Sequence, residues 1–256
     1  MHRMHHFSRT QSRAFSLVEL LVAMAIVAIL AGLTSASIAG IGSASALNKN
    51  ASDLGDIFAQ ARAYAMGNET YVYVGLEELN PSSANTAGIG RVAVAMVCAT
   101  GGTRPYGNTP CQLSDTGPTP VMPISRPQVF DNLHIANAAD LTTGNMAARP
   151  ASSTTGFVDL GNVMNTGAGK STVTFQWPLS GSAKYTFDHV VIEFSPQGTA
   201  RFQTQSAFTS MVPSYIELPL LPTHGTTLVT GAALATANEA ALQIDGMTGV
   251  VQTYRP

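Results

Sequence analysis

One acidic side chain lies inside the long apolar run near the start of the chain. Residues 15–33 carry Glu19 as their only charged residue, and no Asp, Glu, Lys or Arg follows until Lys49. A helix of that length spans about 28 Å, close to the thickness of a bilayer core. A carboxylate costs about 2.5–3.5 kcal/mol at a membrane centre and less near the interface. Glu19 is therefore the first candidate functional residue, and the chemistry it offers is pairing with a positive group.

Three short patterns mimic catalytic or cofactor-binding motifs, but each lacks a required part. Residues 167–172 (GAGKST) have Met164 where a phosphate-binding loop needs glycine, and a β-like run follows instead of a helix. Residues 88–93 (GIGRVA) mimic a dinucleotide fingerprint but continue into a strand. Asp188 and His189 could belong to a Ser/His/Asp catalytic set, but the sequence has no Gly-x-Ser-x-Gly nucleophile elbow. We predict no catalytic residue, no cofactor and no metal site.

Cys98 and Cys111 are the two cysteines of the chain. Two thiols exclude a disulfide-dense scaffold and an all-cysteine zinc site, which needs four thiolates. The segment between them is rich in Gly and Pro, so a disulfide would close a loop and contribute about 3 kcal/mol on the chain-entropy model. We predict that they pair, and the alternative is two unpaired thiols.

The composition argues against a general nucleic-acid or anionic-membrane binder. The chain has 256 residues, of which 45% are hydrophobic and 11% charged, with a formal net charge of -2. Ordinary soluble domains carry about 25% charged residues. Binding to polyanions needs a basic surplus that this chain lacks, so we expect no nucleic-acid partner.

The residues before the apolar run are polar and basic. Arg3, Arg9 and Arg13 lie there, together with His2, His5 and His6, which could bind a metal in isolation. A basic flank predicts that this end stays in the cytoplasm. A secretory signal peptide cut near Ala39 and an uncleaved signal anchor both fit a basic start and an apolar core. Neither explains Glu19.

The motif at residues 14–24 (AFSLVELLVAM) resembles the class III leader of type IV pilins and type II secretion pseudopilins. In that family a peptidase on the cytoplasmic side of the membrane removes a short basic leader just before a Phe, and a Glu lies four residues after it. The resemblance places the cut between Ala14 and Phe15, followed by N-methylation of the Phe15 amine. The chain departs from the family at Ala14, where Gly is usual.

The resemblance also gives Glu19 a partner. In a filament of this family the apolar helices pack against each other, and Glu19 would lie one turn from the helix start, where the dipole favours an anion. Its partner would be the positive amine of Phe15, on its own chain or on a neighbouring subunit. A buried pair of this kind is weak evidence for stability but can fix the register of assembling subunits.

An amphipathic pattern extends the helix beyond the apolar run. Apolar residues recur at helical spacing at Leu54, Ile57, Phe58, Ala61, Tyr64 and Ala65, and Gly67 with Asn68 supplies a stop signal. We predict one helix over residues 15–66. Beyond it, β-rich runs predict strands at 70–74, 91–97, 128–135 and 172–177. A Pro-x-Gly turn predicts a hairpin over 189–203, and the turn at 246–249 (GMTG) predicts a second hairpin over 240–254. Residues 100–170 are expected to form long surface loops with short strands.

These elements predict an α+β fold, with a long N-terminal α-helix followed by an antiparallel β-sheet head. The expected organisation is a leader at 1–14, a transmembrane or filament-core helix at 15–47, and a helix continuation with a periplasmic or extracellular head at 48–256. The element order and the hairpins VVIEFSPQGTARF and LQIDGMTGVVQTY are similar to H-type minor pseudopilins and related minor pilins.

The resemblances imply a non-enzymatic minor subunit of a type II secretion pseudopilus, which serves protein transport, or of a type IV pilus. It would cross the inner membrane once, with a cytoplasmic N-terminus. The implied partners are a prepilin peptidase, other pilin or pseudopilin subunits, the inner-membrane assembly platform and membrane lipid. Two alternatives stay open. One is an anchored extracytoplasmic binding or enzymatic domain, and the other is a DNA-uptake pseudopilin with a basic stripe built from Arg91, Arg104, Arg126 and Arg149.

Overall fold

The computed structural model describes most of the chain after the N-terminal residues. The described residues are 16–83, 86–105, 110–117, 120–141, 146, 149–150, 156–204, 212–228 and 238–255, and for 31–44 the description covers the backbone alone. The chain divides into two compact units, Met1–Gly42 and Ser43–Pro256. The second unit is called the head below.

The N-terminal helix α1 covers Leu17–Gly67. It begins two residues later and ends one residue later than predicted, so it is one residue shorter than expected. Within the head, α1 buries one apolar stripe, whose members Leu47, Ala51, Leu54, Ile57, Phe58, Ala61 and Ala65 are at most 4% exposed. The helical spacing of the sequence is thereby confirmed, because these positions face the core while the intervening polar residues face solvent.

In the described residues, the rest of the head consists of strands with one short helix. The helix α2 covers Leu160–Thr166, and a 3₁₀ turn covers Ala138–Asp140. The strands are β1 (Val72–Leu79), β2 (Gly90–Ala99), β3 (Cys111–Leu113), β4 (Val121–Pro123), β5 (Gln128–Ile135), β6 (Phe157–Asp159), β7 (Val173–Trp177), β8 (Tyr185–Phe187), β9 (Val190–Phe194), β10 (Ala200–Phe202), β11 (Tyr215–His224), β12 (Thr227–Leu228), β13 (Ala240–Asp245) and β14 (Val251–Tyr254).

A large sheet runs in the order β10-β9-β1-β2-β5-β11-β13-β14, with β4 paired to β2, and β12 and β6 paired to β11. Neighbours along that order are antiparallel, whereas β6 runs parallel to β11. A small sheet has the order β3-β7-β8, and its β3–β7 pair is parallel. The head is therefore mostly antiparallel, with two parallel pairs that the sequence did not predict.

The two faces of the large sheet carry separate cores. Along β2, Val92, Val94 and Met96 belong to the core shared with α1, while Ala93 and Ala95 belong to the core that includes the small sheet. This alternation follows from the two-residue period of a strand. The large sheet is consequently covered by α1 on one face and by β3, β7 and β8 on the other.

Both predicted hairpins are confirmed. Strands β9 and β10 pair with Phe194 opposite Ala200, and Gly198 in the connecting turn has a φ of 82°. Strands β13 and β14 pair with Ile244 opposite Val251. The glycine is needed because a side chain at that φ would be strained.

The predicted disulfide is wrong: Cys98 and Cys111 are both free thiols. Cys98 follows Val92, Val94 and Met96 on the face of β2 that packs against α1. Its Sγ lies 3.9 Å from the hydroxyl of Tyr64. Cys111 begins β3 and packs in the core on the opposite face. The backbone of the large sheet separates the two side chains, so their short separation along the chain does not bring the sulfurs together. Burial raises the pKa of both thiols, which also reduces their reactivity.

Candidate assembly site at the N-terminal helix

Ser16 and Glu19 form a reciprocal cap at the start of α1. The backbone N–H of Ser16 donates to Oε2 of Glu19 at 3.0 Å, and the backbone N–H of Glu19 donates to Oγ of Ser16 at 3.2 Å. This is a capping box, in which two otherwise unpaired N–H groups of the first turn are satisfied by side chains three residues apart. The cap fixes the Glu19 carboxylate at the N-terminal end of the helix, where the helix dipole favours a negative charge.

The helix that follows this cap exposes apolar side chains around its circumference. Every residue from 16 to 30 is exposed, and the large apolar side chains among them are 50–81% exposed. Such a surface needs an apolar environment, because the exposed area would otherwise be unfavourable in water. Among the described residues, no helix reaches the length and mean hydropathy required of a membrane span.

Two of the predicted site residues, Ala14 and Phe15, lie outside the residues that the structure describes. The cut between them, the methylation of Phe15 and its pairing with Glu19 therefore stay predictions. Ser16 was not predicted as a site residue. The spacing Ser-x-x-Glu was the available signal, since it is the sequence pattern of a capping box.

Comparison with known families bears on this same segment. Residues 9–35 match the model of the prokaryotic N-terminal methylation motif. The chain carries a prepilin-like leader. The match includes Ala14, Phe15 and Glu19, and it indicates a type IV pilin-like or pseudopilin-like protein that is anchored in a membrane through its N-terminus. Searches of curated proteins and of solved structures found no match for the chain.

A prepilin-like leader implies processing by a peptidase and assembly with other pilin subunits. The capped Glu19 and the exposed apolar residues 16–30 fall within the matched residues 9–35. They lie together within the first four turns of α1.

The head also holds a buried carboxylate with polar partners on neighbouring segments. Glu217 on β11 is fully buried, and its Oε1 lies 3.1 Å from a guanidinium nitrogen of Arg149. Its other oxygen, Oε2, accepts a hydrogen bond of 2.5 Å from the side-chain amide of Gln243 on β13. Burial raises the pKa of the Glu217 carboxyl, and the contacts with Gln243 and Arg149 oppose that shift only in part.

The raised pKa of Glu217 predicts a pH-dependent stability. The folded protein holds the proton of the Glu217 carboxyl more tightly than the unfolded chain does. The contribution of this carboxyl to the free energy of unfolding is therefore fully present below its ordinary pKa of 4.5, and it is lost as the pH rises through the pKa of the folded state. Glu217→Gln is expected to flatten the fall of the free energy of unfolding above pH 4.5, measured by urea unfolding at several pH values. Glu69→Gln, at an exposed position, is the control. Equal slopes for the wild type and Glu217→Gln would contradict this assignment.

Proposed function

We propose that this protein is a non-enzymatic minor subunit of a type II secretion pseudopilus or a type IV pilus. It is inserted in the inner membrane by the apolar part of α1, with its N-terminus in the cytoplasm. A prepilin peptidase removes residues 1–14, and the assembly platform then adds the subunit to a filament. The observation that carries the proposal is the match of residues 9–35 to the methylation motif, with a capped Glu19 in an exposed apolar helix.

A minor rather than a major subunit is proposed because the head is large. The head contains an extended sheet and a second small sheet, and long connections follow β2 and β5. Long connections at a surface are where binding to other proteins is usually located. The order of a long helix and two hairpins is what supports an H-type pseudopilin within this class.

The DNA-uptake alternative is disfavoured by the pairing of three of its four arginines. Arg91 lies 2.5 Å from Asp131, Arg104 lies 2.6 Å from Glu193, and Arg149 is buried against Glu217. Each of these guanidinium groups faces a carboxylate, so together they do not form a stripe of unbalanced positive charge. Binding of a DNA backbone depends on such a surplus.

Sequencing the mature N-terminus tests the proposal. The full chain is co-expressed with a prepilin peptidase, and we expect a mature chain that begins at Phe15 and carries one added methyl group. An Ala14→Leu variant is expected to remain uncut if the peptidase requires a small residue before the cut. Ala14→Gly, which restores the usual family residue, is the matched control and is expected to be processed at least as completely. A mature chain that keeps Met1, or one cut after Ala39, would overturn the proposal.

A further inference from the structure

Three side chains that offer metal-ligand atoms converge on the face of the large sheet opposite α1. Glu77 lies on β1, and Asp188 and His189 lie between β8 and β9. In the β1–β9 pair Leu76 is opposite Val190, so the next position of the register sets Glu77 opposite His189. Directly opposite residues of an antiparallel pair place their side chains on the same face of the sheet.

The three groups line one side of a partly open cavity of about 270 Å³. Nδ1 of His189 lies 2.8 Å from Oδ1 of Asp188 and 3.5 Å from Oε2 of Glu77. All three ligand atoms fall within 4.8 Å of one another. The cluster is therefore small enough for one ion to contact each of its members.

Glu77 is the unusual member of the cluster. It is only 6% exposed, and its Oε2 is buried without a hydrogen bond in the part of the chain that the structure describes. Nδ1 of His189 is also buried and has no hydrogen bond of good geometry to Glu77, although Oδ1 of Asp188 lies 2.8 Å from it. Buried polar atoms are satisfied in the large majority of cases, so two that face each other without a hydrogen bond require an explanation.

The spacing of the three side chains leaves room for a shared cation. Nitrogen and oxygen ligands about 2.0–2.2 Å from a tetrahedral zinc ion lie about 3.3–3.5 Å apart. The 3.5 Å separation between Nδ1 of His189 and Oε2 of Glu77 falls in that range, whereas the 2.8 Å separation from Oδ1 of Asp188 is shorter and has to lengthen around an ion. The nearest basic side chain, Lys170, is about half exposed, and its Nζ lies 3.9 Å from Oδ2 of Asp188.

We propose that Glu77, Asp188 and His189 bind one divalent transition-metal ion, with Zn²⁺ as the best fit. Calcium takes six to eight oxygen ligands and magnesium keeps several waters, whereas one imidazole with two carboxylates suits zinc. The fourth position faces the cavity and takes water. The ion bridges β1 and the segment that leads into β9. This inference revises the sequence-based expectation of no metal site, and it does not depend on the proposed function.

Titration of the full chain with Zn²⁺ in mild detergent tests the site. All measurements use a background in which His2, His5 and His6 are replaced by glutamine, which removes the other histidine cluster. We expect one zinc ion per chain by equilibrium dialysis with metal analysis. Asp188→Asn is expected to weaken binding by about tenfold or more, by analogy with the losses seen when metal sites are perturbed. The side chain of Asp188 is 43% exposed, so this variant tests binding without threatening the fold.

Two matched variants separate the site from general charge effects. Asp115→Asn makes the same chemical change at an exposed turn, and His224→Gln does so for an exposed histidine. Both are expected to keep wild-type affinity, while His189→Gln is expected to lose it. Zn²⁺ should also raise the melting temperature of the parent chain but not that of Asp188→Asn. The absence of stoichiometric binding, or equal binding by Asp188→Asn and Asp115→Asn, would overturn the proposal.

Discussion

Replacing Glu19 by glutamine is expected to reduce incorporation of the subunit into filaments to background, even though the start of α1 stays capped. Glutamine can take the place of glutamate in a capping box, so the hydrogen bond from the Ser16 N–H is retained. What is lost is the negative charge that would pair with the Phe15 amine. Membrane insertion itself should improve, because an ionised carboxylate in the apolar segment costs up to about 2.5–3.5 kcal/mol.

Two further variants separate the cap from the charge. Glu19→Ala removes both, and it is expected to fail in assembly as Glu19→Gln does. Ser16→Ala removes only the hydroxyl that accepts from the Glu19 N–H, at a cost of about 1 kcal/mol to the helix end, and is expected to assemble. Incorporation is measured as the fraction of the subunit recovered with sheared filaments. Normal assembly of Glu19→Gln together with failure of Ser16→Ala would show that Glu19 acts only as a cap.

The capping box links the two roles of Glu19. Its Oε2 already lies against the backbone N–H of Ser16, one residue from the amine that processing would expose at Phe15. The carboxylate is thus held at the end of the helix before any partner arrives. An ordered carboxylate loses less side-chain entropy when an ion pair forms, and ion pairs between unrestrained side chains contribute little for that reason.

Local sequence patterns predicted the elements that depend on residues close to one another along the chain. The apolar stripe of α1 and the turn at Gly198 needed only helical spacing and a Pro-x-Gly signal. Strand β11 could not be found this way, because prolines at 219 and 222 argue against a central strand. Pro219 is tolerated because β11 pairs with β6 up to Glu217 and with β5 from Leu220 onward. The carbonyl of Pro219 accepts from the N–H of Ala136, on the edge of β11 that faces β6 and β5. The N–H that proline lacks would lie on the same edge, at the junction between these two partner strands.

The same limit applies to the candidate sites. Glu19 was identified from its surroundings in the sequence, because a charge within an apolar run is visible locally. Asp188 and His189 carry no local signal of a metal site, since their third partner, Glu77, is brought to them only by the register between β1 and β9. The disulfide prediction was wrong because it also relied on local sequence. Cys98 and Cys111 are close along the chain, but long-range strand pairing places them on opposite faces of the large sheet.

Gly161→Ala is expected to destabilise the head by about 3 kcal/mol or more, although alanine normally stabilises a helix by about 0.5–1 kcal/mol over glycine. Gly161 lies in the first turn of α2, and a Cβ at this position would fall 1.6 Å from the backbone oxygen of Ala136. That oxygen cannot move aside easily, because the N–H of Ala136 donates to the carbonyl of Pro219 at 3.1 Å. Asp159 also holds the helix start in place, with its Oδ1 accepting from the Gly161 N–H at 2.9 Å.

Gly55→Ala is the matched control, because Gly55 also lies within a helix of the head. A Cβ there would meet its nearest neighbour, Cδ2 of Leu242, at 3.6 Å, which is ordinary contact. We expect this variant to be stabilised by about 0.5–1 kcal/mol. In thermal unfolding of the full chain, Gly161→Ala should lower the melting temperature by about 6–12 °C and Gly55→Ala should raise it by about 1–4 °C. Equal shifts in melting temperature would mean that helix propensity alone sets the effect of alanine at both positions. The close approach of α2 to the end of β5 would then have no part in the effect at Gly161.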